Sequence, residues 1–297
     1  MTPVRRLLTY LNPPSRSAYF FVAPSILLLL AFNLTPLIAS FGLSLSSASM
    51  TLDRISFVGL EQFVRILSDA RFLNSLKVTA ILTLLEVPLQ AFGAMVIGAM
   101  VANNSFWNKT LRAVYFLPII CSATVIGIMW RMILHSNVGF VTYALSLMGL
   151  GKINFLNSAQ TTIFVVSFLS LWRSFGVSAI IYVTAVQQVN PSLYEAAQLD
   201  GAGRIRQFLN VTAPSIRPTF WFILMTRFAG SLQIFDIIYV TTGGGPNFTT
   251  ESTVAYVYAR AFASGGDMGY ASAMSMVLFA FIMLVTVLLY RRMIRED

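Results

Sequence analysis

Six stretches of this sequence, 18–41, 78–102, 113–134, 161–186, 219–240 and 268–290, are apolar over about the twenty residues a helix needs to cross a bilayer. Within the hydrocarbon layer each backbone N–H and C=O must find its partner inside its own segment, which restricts such spans to helices. The expected fold class is therefore all-α, a polytopic membrane protein with six transmembrane helices. The balance of 57% hydrophobic to 10% charged residues departs from a soluble domain in the same direction. No block of soluble type is long enough to bury its own core, so residues 1–297 read as one transmembrane domain. Cys121 and His135 are each the only residue of their type, which excludes an internal disulfide and makes a metal site unexpected. No cofactor is expected.

A net charge of +9 would point to nucleic acid in a soluble protein. Here the basic residues stand beside the apolar spans, with no basic stripe interleaved with aromatics, so the expected contact is membrane lipid and not nucleic acid. Eleven Lys and Arg (Arg5, Arg6, Arg16, Lys109, Arg112, Arg204, Arg206, Arg217, Arg291, Arg292, Arg295) fall on one side of the six spans. Five (Arg54, Arg65, Arg71, Lys152, Arg260) fall on the other. The richer side is expected to be cytoplasmic, with both termini there. Residues 1–17, with Val4, Leu7, Leu8 and Leu11 on one face, read as a cytoplasmic amphipathic helix ahead of a Pro13-Pro14 elbow, leading into an uncleaved first span. Residues 42–77 form an external loop, with Leu60, Phe63, Val64 and Leu67 at the spacing of a surface helix, and 241–267 form a second external loop.

Between the fourth and fifth spans, residues 187–218 are a polar interlude on the cytoplasmic side. Asn190 is a good N-cap and Pro191 suits the first helical position. Leu193, Ala196, Ala197 and Asp200 then share a face until Gly201 breaks the helix, and Ile205, Phe208, Leu209 and Thr212 form a second stripe that Pro214 and Pro218 close. The spacing predicts two short helices meeting at a corner, with Gly201 at positive φ or at a close backbone approach.

EAAQLDGAG at 195–203, followed by Pro214, resembles the EAA motif of permease subunits in bacterial ABC importers. Glu195, Ala196, Ala197, Asp200, Gly201 and Pro214 fall on the motif's positions, while Ala213 stands where the family more often has a large aliphatic residue. FVGLEQF, FLNSL, SLQIFDIIYVTTGGGP and GYASAMSM extend the resemblance, in order, towards the carbohydrate and glycerol-phosphate branch. It implies a non-catalytic subunit of a bacterial inner-membrane importer, whose EAA segment, Phe208 included, docks into an ATPase. The implied partners are two ATP-binding subunits, a second homologous permease, an extracytoplasmic solute-binding protein and a carbohydrate substrate.

The residues themselves argue against an ATPase. A P-loop needs G-x-x-x-x-G-K-[ST] so that backbone N–H groups cradle the phosphates. The only Gly-Lys pair, Gly151-Lys152, has Ser146 in place of the first Gly and Ile153 after it. Charged residues within spans, Glu86, Arg131, Arg173, Arg227 and Asp236, are candidates for a solute pathway or for mutual ion pairing. Ser231, Gln233, Asp236 and Tyr239 along the fifth span, with Trp172, Trp130 and Gln90 from other helices, supply the hydroxyl-binding groups and flat aromatic faces that a sugar needs. Positions 232, 235, 236 and 239 share one helical face, so Asp236 and Tyr239 can point into the same cavity, with Gln233 and Ser231 on its flanks. The resemblance implies that Thr242-Gly243-Gly244-Gly245-Pro246 is an external loop near the mouth; a simple flexible turn is the alternative. A permease for a non-sugar solute (polyamine, phosphate) and an ion-coupled secondary carrier are the alternatives.

Overall fold

A computed structural model describes residues 14–149, 153–263 and 265–295. The expected amphipathic segment before Pro14 and the Gly151-Lys152 pair lie outside the described residues. Packing divides the chain into two units, one of residues up to Arg65 with Arg260–Met276, the other of Ile66–Ala259 with the stretch from Val277 onward.

In the first unit, α1 (Pro14–Leu29), a π turn (Leu30–Leu34) and α2 (Thr35–Ser44) run together as an apolar span from Tyr19 to Ser44, exposed along nearly its whole length. A small antiparallel hairpin follows, β1 (Ser46–Ala48) and β2 (Ile55–Phe57), with Ser47 opposite Ser56. The expectation of helix and loop at 42–77 did not include it. The expected surface helix is α3 (Glu61–Ser68). Asp267 ties this unit together: its carboxylate accepts from Arg65 at 2.8 Å, and Arg65 also lies over the Tyr270 ring at 4.2 Å.

The second unit is built on α9. Its helices in chain order are α4 (Ala70–Pro88), a π turn (Leu89–Gly93), α5 (Ala94–Met100), α6 (Phe106–Ile120), α7 (Ala123–Ile133), α8 (Phe140–Leu147) and α9 (Ala159–Gln187). There follow α10 (Pro191–Leu199), α11 (Arg204–Gln207), a π turn (Phe208–Thr212), α12 (Ala213–Ser215), α13 (Arg217–Ser231), α14 (Asp236–Thr241) and α15 (Thr253–Phe262), whose end, like the start of α16 (Met268–Arg295), belongs to the first unit. One buried cluster joins Val78 and Leu82 of α4, Ala123 of α7, Val166 and Leu169 of α9 and Ile237 and Ile238 of α14. A second joins Ala94, Ala179, Tyr182, Ile216 and Ile223. Two glycines permit the close helix approaches: a Cβ on Gly176 would strike the Tyr115 carbonyl of α6, and one on Gly98 would lie 2.7 Å from Tyr182 Cβ.

The chain is mostly helical, as expected, yet two of the six stretches are not continuous helices. Among the described residues four helices are long and apolar enough to cross a membrane: Tyr19–Ser44, Ala70–Met100, Ala159–Gln187 and Met268–Ile294. The stretch 113–134 is a bent pair, α6 and α7, turning by 98° and counting as a fifth span only if taken together. Its cause is local: Cys121 and Ser122 are extended, and the Ser122 hydroxyl caps α7 by accepting from Val125 N–H at 3.2 Å. The stretch 219–240 breaks between α13 and α14. There Ile234 C=O accepts a 2.6 Å hydrogen bond from Ser252, eighteen residues on, and Phe235 sits at φ −141°, ψ −58°. A distant hydroxyl satisfies the carbonyl that a continuous helix would have used, so hydropathy alone did not reveal the break.

Candidate functional site

Two features stand out, a rigid corner at 190–218 and a polar cavity at the break between α13 and α14. At the corner, Asn190 Oδ1 accepts from Ser192 N–H at 3.1 Å and starts α10. Ala202 N–H donates to Ala197 C=O at 2.8 Å and closes the helix, with Gly201 between at φ +75°. A Cβ on Gly201 would meet nothing within 4 Å, so the glycine serves the left-handed turn and not a close approach. Gln207 Nε2 donates to Ala202 C=O at 2.8 Å, and the Tyr194 and Thr212 hydroxyls share a hydrogen bond of 2.9 Å. The two short helices are thereby locked together.

Of the residues expected to couple, Glu195, Ala196, Asp200 and Gly201 are exposed, while Ala197 and Phe208 are half-buried. Beside them Leu199 is 91% exposed and Ile205 76%, with Leu193 and Leu209 also in the open. So much apolar surface on a hydrogen-bonded corner is unusual for a free surface. Leu199 was missed from the sequence because it stands off the face shared by Leu193, Ala196 and Ala197. Behind the corner, a groove of about 800 Å³ is lined by Met100, Gln187, Tyr194, Arg204 and Phe208 among others.

The second feature is a cavity of about 220 Å³ that gathers Glu86, Arg173, Arg227 and Asp236 with Ser170, Ser174, Ser231 and Gln233. Four of the five charged residues expected within spans thus share one site, whereas Arg131 is not part of its lining. Glu86 is almost fully buried, and its carboxylate accepts from Ser170 Oγ at 2.9 Å and from Gln90 Nε2 at 3.1 Å. Gln90, wholly buried, also donates to Ser174 Oγ and accepts from Ser178 Oγ at 2.8 Å. Ser170, Ser174 and Ser178 recur every four residues on α9, a hydroxyl stripe at helical spacing that the sequence carried unread.

The expected pathway residues divide. Ser231, Gln233 and Asp236 line the cavity; Tyr239 and Trp172 do not. Ser231 is buried, bonded to Thr83 at 3.1 Å, while Gln233 and Asp236 are exposed. Tyr239 stacks on Phe235 at 5.2 Å and meets Tyr258 edge-on at 5.3 Å. Its hydrogen bond with Tyr258 holds the Tyr258 hydroxyl above the ordinary phenol range. Trp172 packs edge-on against Trp130, with ring centroids 5.7 Å apart.

The glycine-rich loop is not a loose turn. Gly243 and Gly244 have φ +59° and +88°, Thr250 Oγ1 donates to Gly245 C=O at 2.7 Å, and Thr242 and Thr250 hydroxyls pair at 2.9 Å. Arg71 clamps the loop's end through two hydrogen bonds to Glu251, at 2.7 and 2.8 Å, while lying over the Phe248 ring at 3.7 Å.

Residues 94–295, which include the corner and most of the cavity, match the family described as binding-protein-dependent transport system inner membrane component. The chain belongs to that family. The permease is 31% identical over 264 residues to the probable ABC transporter permease protein YurN of Bacillus subtilis, covering 88% of this chain and 90% of that one. It is 26% identical over 275 residues to the trehalose/maltose transport system permease protein MalF of Thermococcus litoralis, covering 92% of each. A solved chain from a bacterial ABC transporter involved in import of the acidic polysaccharide alginate superposes with a TM-score of 0.84 at 23% identity, covering 98% of the permease and 99% of that chain. At that identity the likeness establishes the fold.

Proposed function

We propose that this permease forms half of the membrane pathway of an ABC importer for a sugar or related carbohydrate and takes its driving force from separate ATPase subunits. The observation that carries this is the corner: a hydrogen-bonded element that leaves Leu199 and Ile205 exposed next to Glu195 and Asp200 has the form of a plug for a partner's groove. Packing supplies most of the affinity, since an exposed ion pair contributes about 0–1 kcal/mol, and the acidic residues set register. The trehalose/maltose system of the relative MalF supports a carbohydrate as solute.

In this reading the corner is cytoplasmic, as are both termini, and the bent pair α6–α7 and the broken pair α13–α14 are each one crossing, which gives six. Two ATPases close on ATP and draw this corner and that of a second, homologous permease together. The helices then exchange inward for outward access, and a solute-binding protein outside delivers the sugar. The difference in contact free energy between open and closed ATPases biases the equilibrium, and the permease supplies the two-state element. The permease itself carries no catalytic step. The near side of the exposed first span is covered by lipid and by the second permease.

Gentle purification of the tagged chain tests the reading. An ATPase, a second permease and vanadate-sensitive uptake that survives collapse of ion gradients are expected. Gradient-dependent uptake by the isolated chain would establish a secondary carrier instead, and uptake of polyamine or phosphate but no carbohydrate would move the solute class.

A further inference from the structure

Arg173 of α9 and Arg227 of α13 line the same cavity, and the Nε of each is buried without a hydrogen-bond partner. Neither guanidinium forms an ion pair among the described residues. Glu86 attracts Arg227 through space, but neither carboxylate at hand bonds either guanidinium. Glu86 is occupied by Ser170 and Gln90, and Asp236 stands exposed at the start of α14. A cation within a span costs about 2.5–3.5 kcal/mol and ordinarily faces a partner or a solute. Two guanidinium groups in one lining, neither of them bonded to a carboxylate among the described residues, present donors that an oxyanion can use.

On the reading of this chain as an importer permease, we infer that its solute is an anionic carbohydrate, a sugar or polyol bearing a carboxylate, sulfonate or phosphate, received by Arg173 and Arg227. The planar fork of an arginine matches such oxyanions two bonds at a time, which the hydroxyls of a neutral sugar do not. Gln233, exposed in the same lining, donates through Nε2 to Ala229 C=O and leaves its Oε1 to accept from a hydroxyl of the attached polyol. Glu86 offsets the local positive charge, so the anion is held loosely enough to leave. At about 220 Å³ the cavity is smaller than the pockets of about 300–1,000 Å³ that enclose drug-sized ligands, and it suits the charged end of a solute more than a whole oligosaccharide.

The test uses the complete importer, with its ATPases, second permease and binding protein, in proteoliposomes. Labelled probes are matched neutral and anionic pairs: galactose and galacturonate, glucose and sulfoquinovose, glycerol and glycerol 3-phosphate. At saturating probe, ATP-dependent uptake of at least one anion is expected to exceed that of its neutral counterpart tenfold or more, and the active pair identifies the oxyanion. R173Q and R227Q should each lower that uptake at least tenfold, with R173K and R227K retaining more of it than the glutamine variants. The proposal is overturned if neutral members enter as fast as their anionic counterparts, if no anion is taken up, or if the glutamine variants transport the anion normally. It is also overturned if R173Q and R227Q release the second permease, which would make the arginines partners of that subunit. Failure of the wild-type chain to recover any ATPase is a separate result and falls on the importer reading.

Discussion

At Gly201 the backbone lies at φ +75° with open space where a Cβ would go. Substitution there acts through conformation, and an L-residue pays about 1–2 kcal/mol for the left-handed region, with Asn and Asp the best tolerated. G201N is therefore expected to keep binding-protein-stimulated ATP hydrolysis near wild type and G201V to lose most of it at equal membrane levels. G201D shares the backbone tolerance of asparagine but adds charge to the docking face, and should uncouple hydrolysis from uptake. Equal behaviour of all three would remove the mechanical role assigned to the turn. Glu86 makes a different kind of prediction. E86L orphans Ser170 and Gln90 in a buried network, at about 1–3 kcal/mol for each unsatisfied group, whereas E86Q keeps an acceptor for Ser170. The thermal midpoint of the purified complex should fall markedly further for E86L than for E86Q.

Among the elements, α9 is the one against which the second unit packs, and its glycine is the most constrained point. A Cβ on Gly176 has no room against the α6 backbone, so G176A should cost about 1–3 kcal/mol and G176L should abolish accumulation in the membrane, scored by detergent-resistant fluorescence of a fused reporter. Unchanged levels of G176L would mean that α6 moves freely on α9. At the other end of α4, Arg71 is the partner of a Glu251 side chain that is only 5% exposed. R71A strands that carboxylate, which costs about 3–5 kcal/mol in a fully buried pair and less here because Arg71 is partly exposed. Proteolysis within residues 242–252 should accelerate in R71A, and R71A/E251Q should recover part of the protection. How far these elements were legible in the sequence depended on the range of the forces involved. The four continuous spans and the α10 corner follow from hydropathy, Asn190, Pro191 and Gly201, all local signals. The break at 232–235 depends on Ser252 reaching Ile234, and the β1–β2 hairpin on pairing between three-residue strands, neither of which leaves a periodic trace.

Across the whole molecule, the proposed orientation draws on two sources, the distribution of Lys and Arg, which reflects the cost of moving cations across a membrane, and the resemblance of the segment at 195–203 to a cytoplasmic docking motif. The site was legible only in part. Ser231, Gln233 and Asp236 were expected along the pathway and meet in one cavity with the intramembrane charges. Tyr239 and Trp172 are not in that lining: Tyr239 stacks on Phe235 and meets Tyr258, and Trp172 packs against Trp130. The central claim is that the corner at 190–218 faces the cytoplasm and is gripped by a nucleotide-driven partner. Cys121 is the only cysteine, so a C121S background permits a single Cys at Leu199 to be followed alone. The account predicts that L199C in intact cells resists a membrane-impermeant maleimide, and that in inside-out vesicles it crosslinks to the ATPase subunit with a yield that changes between ATP and the nucleotide-free state. Labelling of L199C from outside, or the absence of any ATPase crosslink in either state, would contradict it.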